Sequence, residues 1–143
     1  MTIRFSISGS PQGKARPRVV RTKSGHSMSF TPDKTVAYEE LVRARYRAAT
    51  SESGQTETFD GPISLAIVAE YSIPKSTSKK RAAEMERCEI FPTKKPDWDN
   101  IGKIICDALN GLAYKDDAQV VSASVRKRYT TGAGCVHVAL TEI

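Results

Sequence analysis

Residues 94–121 read KKPDWDNIGKIICDALNGLAYKDDAQVV, and they commit the chain to a helix that must be buried on one side. Ile101, Ile104, Ile105, Ala108, Leu109 and Leu112 recur at i, i+3, i+4, i+7, i+8 and i+11, one face of a 3.6-residue helix. Gly111, near the end of the stripe, helps to stop it. A stripe of this width needs another layer to lie against, and the rest of the sequence supplies one. Residues 2–8 alternate as a first strand. Residues 62–73 form a second, with Ile63, Leu65, Ile67 and Val68, ending in Tyr71 before Pro74. Residues 118–129 form a third with Val121, Ala123 and Val125 on one face, and Val136, Val138 and Leu140 alternate on a last strand after the turn at 130–134.

Other segments fill in between these. Gly9 to Gly25 is a polar stretch that fits a hairpin with Ser27–Phe30 as its return arm. Thr31-Pro32-Asp33 opens a second long helix, with a hydroxyl at the N-cap, proline in the first turn and an acid beside it. Tyr38, Leu41, Val42 and Ala49 are expected on its core side, Arg43 and Arg47 on the other. Residues 51–61 read as a surface loop, Ser76-Thr77-Ser78 as the cap of a short charged helix over 79–87, and 91–96 as an extended linker. No regular βαβ repeat runs through this order. The expected fold is therefore α+β, a small mixed sheet packed with two main helices, in a single domain over 1–143.

At 143 residues the chain suits one hydrophobic core. No apolar run approaches the ~20 residues needed to cross a bilayer. Met1 to Ile7 alternates like a strand and lacks the longer apolar stretch of a secretion signal, so a soluble, cytoplasmic protein without a membrane role is expected. Cys88, Cys106 and Cys135 are odd in number and widely spaced, which gives neither a disulfide framework nor a CxxC zinc site, and His26 and His137 do not complete one.

The net charge of +6 is uneven. Residues 1–50 carry ten Lys/Arg against three Asp/Glu, whereas 51–100 carry seven against nine. A basic N-terminal third beside clustered acids suits one surface for phosphates and one site for a cation. Those acids are Asp97 and Asp99 at the mouth of the helix, Asp107 two turns beyond Asp99, and Asp116 and Asp117 just before the next strand. Lys103 lies on the polar side of the same helix. Taken singly, each has an ordinary structural role: an N-cap, an i, i+4 surface pair of Asp99 with Lys103, or a turn. Together, repelling carboxylates are best explained by a cation that neutralises them. Magnesium prefers such oxygen ligands, and it can polarise a phosphate and activate water.

The string Lys95-Pro96-Asp97-x-Asp99-Asn100-x-x-Lys103-x-x-x-Asp107-Ala108-Leu109-Asn110-Gly111, followed by Asp116-Asp117-x-Gln119-Val120, resembles the signature of RusA-type Holliday junction resolvases. Pro11-x-Gly13-Lys14-x-Arg16-Pro17-Arg18 is similar to the family's N-terminal basic element, and Thr31-Pro32 and Pro74 to Arg81 also look like family segments. The resemblance implies a homodimer, often of phage or prophage origin, that uses magnesium, with manganese as a substitute, to cut a four-way DNA junction symmetrically in recombination and repair. It implies metal-binding and catalytic roles for Asp97, Asp99 and Asp117, an accessory metal role for Asp116, and a catalytic role for Lys103. Lys14, Arg16, Arg18, Lys94 and Lys95 are the candidate DNA contacts.

Two other motifs fail on spacing. Gly9-Ser-Pro-Gln-Gly13-Lys14-Ala15 is one residue short of a P-loop and has Ala15 where a Ser/Thr should stand, so no nucleotide cofactor is expected. Pro96-Asp97 has no downstream Asp/Glu-x-Lys to complete a PD-(D/E)xK nuclease motif. A non-catalytic branched-DNA-binding module is the alternative. Trp98, between two acids, is expected to be a packing residue, with stacking on a base as the alternative.

Overall fold

Period-two patterning puts the apolar residues of each strand on one side of the sheet, and the long helices lie against that side. The computed structural model describes residues 1–55 and 58–143. The strands are β1 (Thr2–Ser8), β2 (Arg18–Arg21), β3 (Ser27–Phe30), β4 (Ile63–Ser72), β5 (Val120–Thr130) and β6 (Cys135–Glu142), and the helices are α1 (Asp33–Ser53), α2 (Lys79–Glu86) and α3 (Trp98–Leu109). Four strands form a mixed sheet in the order β1-β6-β4-β5, and β2 and β3 form a separate hairpin. β1–β6 and β6–β4 are antiparallel, whereas β4–β5 is parallel. A parallel pair needs a long crossover, and the segment carrying α2, the linker and α3 supplies it. The result is the mixed α+β fold expected, with the short α2 added to two main helices.

The core is the layer between sheet and helices. Ile3 and Ile7 of β1, Ile63 and Ile67 of β4 and Leu140 of β6 belong to one buried cluster with Ile101, Ile104, Ile105 and Leu109 of α3, all at 2% exposure or less. Burying each such side chain stabilises by about 1.5–3 kcal/mol, so α3 is fixed firmly to the sheet and carries its polar face with it. Ser78 caps α2 as expected, its hydroxyl accepting from the Arg81 N–H at 3.3 Å.

α1 departs from expectation at both ends and around its axis. Pro32, not Thr31, stands at the N-cap, and no side chain caps the helix; the proline carbonyl instead accepts from the Thr35 and Val36 N–H groups. The helix runs on to Ser53, where Gly54 takes the left-handed φ of 66°. The expected loop over 51–61 is thus shorter; residues 56–57 lie outside the described residues, and Phe59 is buried, its N–H donating to the Ala113 carbonyl at 2.7 Å. Leu41 is exposed, while Tyr46 is fully buried, edge-on to Phe5 with ring centroids 5.7 Å apart. Arg43, expected in solvent, is half-buried and reaches the Ala108 carbonyl at 3.5 Å. Packing against α3 as well as the sheet rotates the buried stripe toward these residues.

β5 also differs. It starts at Val120, because Asp117–Gln119 form a single 3-10 turn. Val125 packs on the core, but Val121 and Ala123 are exposed, since β5 is an edge strand and its first residues extend past the helical cover.

Candidate metal and nucleic-acid site

The linker before α3 delivers two carboxylates to the helix mouth. Asp97 occupies the N-cap position, yet its side chain makes no capping bond. Its carboxylate is half exposed and pairs with the Lys95 ammonium at 2.9 Å. Asp99 follows in the first turn, also exposed, where the positive end of the helix dipole favours a negative charge. Both line an open cleft of about 650 Å³ together with Lys94, Lys95, Trp98 and Lys127. Trp98 is 65% exposed at this cleft, so the packing role expected for it is wrong. Asp97 and Asp99 on either side of it are exposed as well, and the buried stripe of α3 begins only at Ile101, which leaves the indole on the polar side.

Two tyrosines hold the linker in place. The Tyr71 hydroxyl donates to the Pro96 carbonyl at 3.2 Å, and the Lys94 ammonium lies 5.7 Å from the Tyr71 ring centre and 5.8 Å from that of Tyr129. Lys127 stands over Tyr71 at 5.4 Å and donates to the Lys94 carbonyl. Burial first, and then the nearby Asp97 charge, push the Tyr71 phenol up to about 12, so it stays a donor at neutral pH.

One turn further along α3, Lys103 projects into solvent. Among the described residues no ion pair within 4.0 Å joins it to Asp99, so the surface pair is not formed and its ammonium is free. Lys103 lines a groove of about 440 Å³ with Arg16, Asn100 and Asp107. The other wall is the basic arm before β2. Gly13 makes that approach possible, since a Cβ there would lie 2.8 Å from the Pro96 Cβ and 3.1 Å from the Asn100 Cβ. The Lys14 N–H donates to the Asn100 carbonyl at 3.1 Å. The Lys14 ammonium lies between Glu39 at 2.9 Å and Asp107 at 3.2 Å, tying the arm to α1 and α3 at once. Burial opposes the Lys14 charge, but the two carboxylates outweigh it and hold its pKa above the ordinary lysine value. Arg16 and Arg18 remain exposed. Glu39 had no distinguishing mark in the sequence, because only the folded arm brings a cation to it.

Asp116 and Asp117 sit in a turn built around Gln119. The Gln119 Oε1 accepts from the N–H groups of Lys115 (2.9 Å) and Asp116 (3.3 Å), and its Nε2 donates to the carbonyls of Phe59 and Gly61, both at 3.0 Å. Tyr114, fully buried, donates to the Cys106 carbonyl at 2.8 Å and docks the turn on α3. Burial, the Asp117 charge and the Asp107 charge all raise the Cys106 thiol pKa. Asp117 and Asp107 therefore act on the same stretch of α3, two to three turns from Asp97 and Asp99. Among the described residues, no three carboxylate, imidazole or thiol groups stand close enough together to hold a metal unaided. What the fold brings together is one carboxylate pair at a cleft, not a preformed cage of five aspartates. A pair suits magnesium, which is often held by one or two carboxylates with water and substrate phosphate completing its shell.

Two exposed carboxylates at a helix mouth, an exposed ammonium one turn away and a basic arm alongside are groups suited to a hydrated cation and to phosphate oxygens. A family model described as endodeoxyribonuclease RusA matches residues 8–141, and the chain belongs to that endodeoxyribonuclease family. It is also similar to a protein of Bacillus subtilis (strain 168) described as uncharacterized protein YqaN, 36% identical over 132 residues, covering 90% of this chain and 88% of the other.

Proposed function

We propose that the protein is a magnesium-dependent endonuclease that resolves four-way (Holliday) DNA junctions by paired symmetric cuts in recombination and repair. The observation that carries this reading is the Asp97–Asp99 pair sharing a cleft with Lys94 and Lys95 at the mouth of α3, inside the segment matched by the endodeoxyribonuclease family. Asp97 and Asp99 would hold the metal, with Asp117 and the accessory Asp116 joining them once substrate closes the gap. Manganese, with similar oxygen preference, would substitute. The bound metal supplies charge neutralisation at the scissile phosphate and an activated water.

The chain's own groups do the rest. Lys103, with no ion-pair partner to release among the described residues, offers its ammonium to the negative charge that grows on the phosphoryl oxygens. Lys94 and Lys95 beside the cleft, and Arg16 and Arg18 on the arm, hold the flanking phosphates in register. Tyr71 keeps the linker, and so Asp97, in place. A four-way junction has two symmetry-related cut sites, and a homodimer offers two equivalent sites to match them.

That no third ligand stands near the pair among the described residues favours one other reading, a branched-DNA-binding module that does not cut. Incubating the purified protein with a synthetic four-way junction, with and without magnesium, separates the two. Paired nicks that require magnesium support the enzyme, while tight binding with intact strands in both magnesium and manganese supports the module.

A further inference from the structure

The β2–β3 hairpin stands apart from the main sheet. All eight of its residues are exposed, and it belongs to no larger sheet. Its register pairs Val20 with Met28 and Arg18 with Phe30, so these four side chains share one face. Val20, Met28 and Phe30 are 47%, 60% and 45% exposed there. A lone two-stranded ribbon is marginal in water, and an apolar face on one signals a partner.

Charge selects the partner. Residues 1–32 contain six lysines and arginines and no acid. Arg18, Arg21 and Lys23 lie in the hairpin itself, so a second copy of this ribbon would meet like charge, whereas a polyanion is attracted. A two-stranded ribbon also fits the dimensions of a DNA groove. Fully stacked duplex hides the faces of its bases, and only a branch point or single strand offers apolar surface for Phe30, Met28 and Val20 to cover. At the hairpin's base the arm is pinned by Lys14 to Glu39 and Asp107, so it leaves the body beside Lys103.

We propose that this hairpin is the element that recognises the branch, with Arg18, Arg21 and Lys23 against phosphates and Val20, Met28 and Phe30 over bases unstacked at the branch point. The proposal rests on the DNA-processing reading above, but not on cutting.

The test is therefore binding in EDTA, comparing a four-way junction with a linear duplex of the same sequence. Val20→Ser/Met28→Ser/Phe30→Ser should lower the preference for the junction about tenfold and leave the salt dependence unchanged. Arg21→Ala/Lys23→Ala should weaken both DNAs alike and reduce the salt slope by up to ~0.9 per lost contact. A 2-aminopurine placed at the branch point should change its emission on binding the wild type, and not on binding Phe30→Ala. That single change keeps the test open if the triple variant misfolds. An unchanged junction-to-duplex ratio in the serine variant overturns the proposal. So does conversion of a dimer to a monomer by that variant in sedimentation velocity, which would make the face an interface between copies. Intact strands in magnesium alongside a lost junction preference would sink the enzymatic reading and support this one.

Discussion

Gln119 reports on how the Asp116–Asp117 turn is held, and Gln119→Leu removes its four hydrogen bonds in one step. Two of those bonds go to carbonyls of Phe59 and Gly61 and two come from the exposed N–H groups of Lys115 and Asp116. At a net ~0.5–1.5 kcal/mol each, with the exposed pair at the low end because water replaces them, the loss should be about 2–3 kcal/mol. In a domain of this size that lowers Tm by roughly 6–12 °C. The site should suffer separately. Asp117 would no longer be fixed against α3, so single-turnover junction cleavage should fall by at least tenfold under conditions where the variant is fully folded. Gln119→Glu keeps the acceptor but loses the donors and adds charge beside two aspartates, and it should be worse than leucine in stability. A stability loss under 0.5 kcal/mol, or a wild-type cleavage rate in the folded leucine variant, refutes the reasoning that Gln119 sets this turn.

Lys103→Ala should lower single-turnover cleavage by about 10²-fold with junction affinity nearly unchanged, and cost under ~1 kcal/mol of stability because its side chain is exposed. Lys103→Arg should recover only part of the rate, since a planar cation alters the geometry. Trp98 is the sole tryptophan and is exposed at the cleft, so its fluorescence should change on junction binding, and Trp98→Ala should leave the urea midpoint within error of wild type. On the open sheet face, Glu70 accepts from Arg128 at 2.9 Å and lies 2.7 Å from the His137 Nε2. Burial opposes its ionisation, but His137 and Arg128 outweigh that and lower its pKa. A lowered carboxylate pKa stabilises the fold above the ordinary glutamate value and ceases to as pH falls through the folded value. Glu70→Gln should thus destabilise at pH 7, with the gap to wild type closing below about pH 4.5 in a urea titration at successive pH values.

Much of this was legible before the fold, and the failures have physical causes. The α3 stripe is legible from Ile101 to Leu109 because a single buried face leaves a clean 3.6-residue period, whereas Leu112 falls in the turn after the helix and is half-buried. The alternation in β4 and β6 was equally plain, since both are interior strands with one face packed and the other open. α1 was misread because it packs against two surfaces, which widens its buried arc to Tyr46 and Glu39 and draws in Arg43. Val121 and Trp98 misled for the opposite reason. Apolar character predicts burial only where something covers the residue, and an edge strand and a helix mouth leave both bare. The acids stand out as a group in the sequence, while among the described residues no three of them come close enough together to hold a metal unaided. The partnership of Lys14 with Glu39 and Asp107 joins three distant segments and leaves no periodic trace.

The central claim is that the Asp97–Asp99 pair holds the metal that makes this fold a nuclease. It is tested most directly by single-turnover cleavage of a labelled four-way junction in low millimolar magnesium, for wild type, Asp97→Asn, Asp99→Asn and Asp117→Asn, with junction affinity measured in parallel. The amides keep the shape of each side chain and remove the charge. Wild type should give symmetric paired nicks, all three variants should lose cutting, and binding should persist in each. Near-normal cutting by either Asp97→Asn or Asp99→Asn would contradict it.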